Sequence, residues 1–295
     1  MRDVAVILAD GVVAPGEVGG AWTFDPALVV GLALTAGVYA RGVVRLGRRI
    51  TGVDRAVRVA SFSAGLVVVA AALVSPLDAL ASTLFSAHMV QHLLLMVVAA
   101  PLLVFARPAA ALVAGLPAGG RDVARRAGSG PLRGIGRTLS RPVVVWALGA
   151  LALWAWHMPS LYEGALDHHL LHVAEHASFL GTALLLWSVV VSSGARRGVA
   201  RPVAALLVFA AGVQGTALGA VLIFASTPLY PAHDAGAALW SRSPLADQQL
   251  AGAFMWGIPA VVYVVTVGWL LFRWFAEMDE EPAPDGLLVA TAEGL

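Results

Sequence analysis

The sequence predicts an all-α, polytopic membrane protein of seven transmembrane helices, with the N-terminus outside and the C-terminus cytoplasmic. Three observations predict it. The chain is 59% hydrophobic and only 13% charged, about half the charged share of a soluble domain. Seven segments are apolar over the roughly 20 residues a bilayer requires. The arginines divide seventeen to two between alternate connections, and the richer set belongs inside.

The spans run in order. Residues 1–26 form a short non-cytoplasmic N-terminal segment on the membrane surface. Its apolar run, Val4 to Leu8, is cut by Asp10 and Gly11, too early for a secretory signal. A seven-helix transmembrane domain follows over 27–275. The spans fall at about 27–44, 56–75, 83–106, 142–158, 169–191, 202–226 and 248–272. The first connection and its flanks hold Arg41, Arg45, Arg48, Arg49, Arg55 and Arg58. The 107–141 connection, rich in Gly, Pro and Arg, reads as a flexible cytoplasmic loop facing anionic membrane lipid. Trp154, Trp156 and Tyr162 are expected in an outer aromatic belt, and Trp269, Trp274 and Phe275 in an inner one. Gly215 and Gly219 have the spacing of a close-packing helix face. The acidic, proline-containing stretch 276–295 reads as a disordered cytoplasmic tail.

No cysteine is present. Disulfides, thiolate metal sites and thiol redox chemistry are therefore excluded. Nothing points to nucleic acid, and the oligomeric state is open.

All eight histidines fall in the outer half or in outer loops on this topology. His88 and His92 lie in HMVQH on the third span, and His172 and His176 in HVAEH on the fifth. A spacing of four places both imidazoles on one helix face. Both spans run inward, so each pair sits roughly 5–15 Å below the outer interface at a helical rise of about 1.5 Å per residue. His157, followed by Met158, reaches that layer from the fourth span. Ionisable groups at such depth are costly and usually functional. The four paired histidines are therefore read as metal ligands, with His157 and Met158 as further candidates. Glu175 and Asp247 are carboxylates placed to orient an imidazole or accept a proton on metal binding. His168, His169 and His233 lie in or near loops and are read as structural. A His/Met set without thiolate suits copper best. Paired histidines also allow haem as an alternative. HVAEH fits the H-x-x-E-H signature of a zinc peptidase. The chain offers no further acidic ligand of the kind those soluble domains use, so an enzymatic role is not expected.

At these residues the chain resembles the CtaG-type (caa-oxidase CtaG) cytochrome c oxidase assembly factors. The similar stretches are SPLDALASTLFSAHMVQHLLLMVVAAPLLV (75–104), WHMPSLYEGALDHHLLHVAEHASFL (156–180), TPLY (227–230) and DQQLAGAFMWGIP (247–259). The resemblance implies a multi-pass protein of the bacterial inner membrane that serves maturation of haem–copper oxidases. Its partners would be oxidase subunits, and its proposed activity copper delivery. The alternatives are a scaffolding, electron-transfer or transport role.

Overall fold

In the computed structural model, residues 12–47, 52–129, 131–195 and 198–280 are described. Among them every regular element is a helix. Two apolar helices open the bundle, α1 (Pro26–Leu46) and α2 (Gly52–Leu73). Asp25 caps α1 by accepting from the amides of Ala27 and Leu28, ahead of a proline in the first turn. A short helix α3 (Pro76–Thr83) then turns the chain into the third span, α4 (Phe85–Phe105).

Midway along α4, Leu94–Ala99 widens into a π turn. Pro101 has no amide to offer the Val97 carbonyl, and the indole of Trp187 takes the Met96 carbonyl at 3.0 Å. Both remove rungs from the α ladder.

The 107–141 connection is not an open loop. It folds into α5 (Ala109–Gly115), α6 (Ala118–Ala127) and α7 (Pro131–Leu139). Helix α5 packs into α1. A Cβ on Gly42 would stand 1.7 Å from the Ala111 carbonyl oxygen, and one on Gly115 would stand 1.8 Å from that of Val38. Only glycine permits that approach. Arg45 adds hydrogen bonds to the carbonyls of Ala114 and Leu116, at 3.0 and 3.1 Å. Two turns of apolar helix beside a glycine surface outweigh the loop signals of the sequence.

The fourth span, α8 (Pro142–Trp156), is short and meets the end of α7 at a 72° bend. After it come α9 (Pro159–Asp167), α10 (His169–Ser192), α11 (Arg201–Phe224), the short α12 (Asp234–Leu239) and α13 (Pro244–Glu280). Among the described residues six helices are long and apolar enough to cross a membrane, and a seventh counts if the bent α7–α8 pair is one span. The protein is a multi-pass membrane protein. Helix α11 packs closely on α13, where Gly219 faces the Gly252 carbonyl and Gly212 faces Tyr263. Gly215 lines a cavity instead, with nothing within 4 Å. The close approach to the neighbouring helix thus runs through Gly219, and Gly215 takes no part in it.

Residues 12–25 pack on the end of the bundle, where Val13 is buried. Its amide donates to Thr83 Oγ1 at 2.9 Å, and its carbonyl accepts from Trp240 Nε1 at 2.9 Å. Residues 1–11, and 281–295 of the expected tail, lie outside the described residues. At the opposite end Arg201 and Glu277 pair across α11 and α13.

Candidate metal centre

The start of α4 carries the first histidine pair, and its position is fixed from α13. Asp247 accepts from the Ser86 amide at 3.2 Å and from Ser86 Oγ at 2.5 Å, and it faces Arg242 at 3.7 Å. Asp247 therefore anchors the first turn of α4 and does not orient an imidazole. A buried carboxylate spends its acceptor capacity on the nearest donors, which here are on Ser86. Further in, Gln91 donates to the Ala72 carbonyl and to Asp78. These bonds fix the rotation of α4, and one helix turn sets both His88 and His92 on its inner face.

The second pair comes from the first turns of α10, and the two pairs converge. Ring centroids lie 5.7 Å apart for His88 and His172, and 5.2 Å apart for His92 and His176. Between the pairs stands Glu175, fully buried, with carboxylate oxygens 3.7 Å from His88 Nε2 and 3.7 Å from His92 Nε2. Donor atoms of His88, His172 and His176 lie within 4.8 Å of one another, as do those of His88, His92 and Glu175. Glu175 is thus a potential direct ligand and more than an outer support. His88 belongs to both sets, and its Nδ1 lies 3.3 Å from the Ala81 carbonyl. A carbonyl only accepts, so in the neutral ring the proton sits on Nδ1 and the Nε2 lone pair faces the cluster.

The cluster's facing polar atoms find no partners within the protein. His88 Nε2, both nitrogens of His92, Nε2 of His172 and His176, and both Glu175 oxygens are buried without a hydrogen-bond partner. Buried polar atoms are paired in the great majority of cases. One His92 nitrogen carries the proton of the neutral ring, which leaves up to six of these atoms with a lone pair to offer, and such a concentration fits a metal ion.

His157 is buried at the end of α8. Its carbonyl accepts from the Tyr230 hydroxyl at 2.8 Å. Met158 is 57% exposed, so it is not one of the site's donors. Helix α8 stops at Trp156, and Met158 takes up an extended conformation as the cap of α9. The chain direction changes between His157 and Met158, which sends the two side chains to different surroundings. The sulfur that meets His157 belongs to Met89, at 3.4 Å. Below this contact an apolar cavity of about 90 Å³ separates much of α4 from α8.

The sequence reading of the site missed Tyr162. Tyr162 is 1% exposed, inside the bundle and not in an interfacial belt. Its ring lies 5.1 Å from that of His88, and its oxygen is 2.6 Å from His233 Nε2. Burial pushes the phenol well above its usual range, so it stays protonated and donates to His233. His233 is itself pushed down to about 4, by burial first and then by the facing His88. Its Nε2 lone pair serves Tyr162, which supports a structural role. His168 and His169 are exposed, and His169 pairs with Asp25 at 2.9 Å. Tyr162 lies in the first turn of α9, which the proline after Met158 starts.

Comparison with curated proteins and with solved structures gives no match. The family model described as "Cytochrome c oxidase caa3 assembly factor (Caa3_CtaG)" matches residues 37–277. That range takes in the spans carrying the cluster, along with α9, Tyr162 and His233. The chain belongs to the cytochrome c oxidase caa3 assembly factor family.

Proposed function

We propose that this assembly factor binds copper as cargo at the histidine–glutamate cluster and delivers it to a haem–copper oxidase. One observation carries the reading: in two overlapping donor sets, His88/His172/His176 and His88/His92/Glu175, the facing nitrogen and oxygen atoms are buried and free of hydrogen-bond partners. Imidazole and carboxylate without thiolate suit copper, and a neutral imidazole is the form that binds. The arginine asymmetry supports a cytoplasmic C-terminus in the bacterial inner membrane and a cluster toward the outer face. There an ion could pass sideways to an oxidase subunit without entering water. The role is that of a carrier, and no catalytic step is assigned. Against haem, the imidazoles meet one another directly, His88 and His92 edge to face at 4.4 Å, with no flat slot for a porphyrin.

The test is a His92→Ala, His176→Ala double variant in cells that make the oxidase. Alanine is at home in a membrane helix, so insertion and expression should hold. Oxidase activity and its copper content should both fall, with partial rescue by added copper through mass action. Wild-type values at normal expression would overturn delivery and leave scaffolding of oxidase assembly as the better reading.

A further inference from the structure

One contact between the cluster and the apolar cavity is not explained by hydrogen bonding. His157 Nδ1 lies 2.7 Å from the Leu153 carbonyl. The carbonyl only accepts, so in the neutral ring the proton is on Nδ1 and the lone pair is on Nε2. That Nε2 is 3.4 Å from Met89 Sδ. A thioether has no proton to give. Two lone pairs therefore face each other where Met89 is 1% and His157 is 7% exposed. Such an arrangement costs energy unless a cation lies between them.

The surroundings sort the cations. The cavity beyond this contact is lined by Met89, Met96 and Met255, three of the six methionines in the chain. No Asp, Glu or Arg side chain lines it among the described residues. His92 lines it too, and so belongs both to the cluster and to the cavity wall. Thioether sulfur is a soft donor that prefers Cu(I). A monovalent ion also costs far less to desolvate against apolar walls than a divalent one, since the cost rises with the square of the charge.

We propose that Met89 Sδ and His157 Nε2 form a second metal site, a nitrogen–sulfur pair that accepts Cu(I) from the histidine–glutamate cluster at the mouth of the apolar cavity. The proposal rests on the copper reading above and adds an oxidation state and a route. The ion moves by ligand exchange from His92 to the pair, as Cu(I) throughout, so no electron is transferred. The two sites differ in kind: the cluster offers nitrogen and oxygen, and the pair offers nitrogen and sulfur.

The experiment uses the full chain in detergent, titrated without oxygen with Cu(I) held by a competing chelator, and with redox-inert Ag(I) as a second probe. Copper-edge X-ray absorption reads the ligand atoms. The wild type should show a sulfur neighbour together with imidazole. Met89→Leu keeps the apolar volume, and it should lose the sulfur signal and at least about a hundredfold in Cu(I) and Ag(I) affinity at that site, more than a supporting residue costs. His157→Gln should lose the same site. A His88→Ala, His176→Ala variant should keep the sulfur signal. Imidazole-bound copper with no sulfur in the wild type, or unchanged binding in Met89→Leu, would overturn the second site and leave the cluster standing. A wild type that binds neither Cu(I) nor Ag(I) at the imidazoles would overturn the cluster reading itself.

Discussion

The first and third spans have nearly the same mean hydropathy, 1.8 for α1 and 1.9 for α4, yet 11% of the first and 50% of the third is buried inside the protein. Hydropathy reports that a segment can leave water. It does not report whether lipid or protein replaces the water, because lipid tails and leucine side chains are equally apolar. The difference shows in the polar residues. Helix α1 carries no ionisable side chain from Pro26 to Val38. Helix α4 carries Ser86, His88, Gln91 and His92, all buried. A polar group at membrane depth needs protein around it, so the span that holds such groups is the central one.

The sharpest way to break this comparison is a matched pair of substitutions. His88→Ala removes the one residue shared by both donor sets. It should weaken copper binding by at least about a hundredfold, more than a supporting residue does. Leu34→Ala on α1, where the side chain is 63% exposed, should leave binding unchanged. Equal effects in a metal titration would show that α4 is not special.

A smaller contrast comes from glycine. A Cβ on Gly219 would meet the Gly252 carbonyl oxygen at 2.8 Å, whereas one on Gly31 of α1 meets nothing within 4 Å. Gly219→Ala should therefore destabilise the protein by about 1–3 kcal/mol through overpacking. Gly31→Ala should be neutral or stabilising by at most about 1 kcal/mol. Thermal unfolding in detergent would read both, and a reversed order would contradict the packing of α11 on α13.

The smallest expected effect is on pH dependence. His233 falls from 6.5 to about 4 in the folded protein, through burial and the facing His88, against the opposing pull of the Thr83 backbone and Asp247. The folded state thus binds fewer protons than the unfolded one between those values. The stability from His233 is complete above about 6.5 and is lost as pH falls toward about 4. Metal-free protein should lose stability across that window, and His233→Asn should flatten the loss. An unchanged profile in that variant would assign the pH dependence to other groups.

How much of the site was legible depended on how local its geometry is. His88 with His92, and His172 with His176, could be read as pairs because helix periodicity alone puts residues four apart on one face. Met158 could not be placed, since its direction depends on the residue at which α8 stops. Met89 was visible as a neighbour of His88, but its meeting with His157 spans 68 positions in the chain. Asp247 looked like a partner for an imidazole and proved to hold Ser86, 161 positions away.

By itself the sequence determined the membrane class, the positions of the spans and the two histidine faces. Desolvating a run of about 20 residues, and repeating every 3.6 residues, are properties of a single helix. Only the tertiary structure decided that Glu175 stands between the pairs, that Tyr162 and His233 close the cluster from short helices, that Gly215 faces a cavity, and that the 107–141 connection is helical. Those depend on which helices are neighbours. Neighbours are chosen by close contacts such as Gly42 on Ala111 and Gly219 on Gly252, and no single segment encodes such a contact.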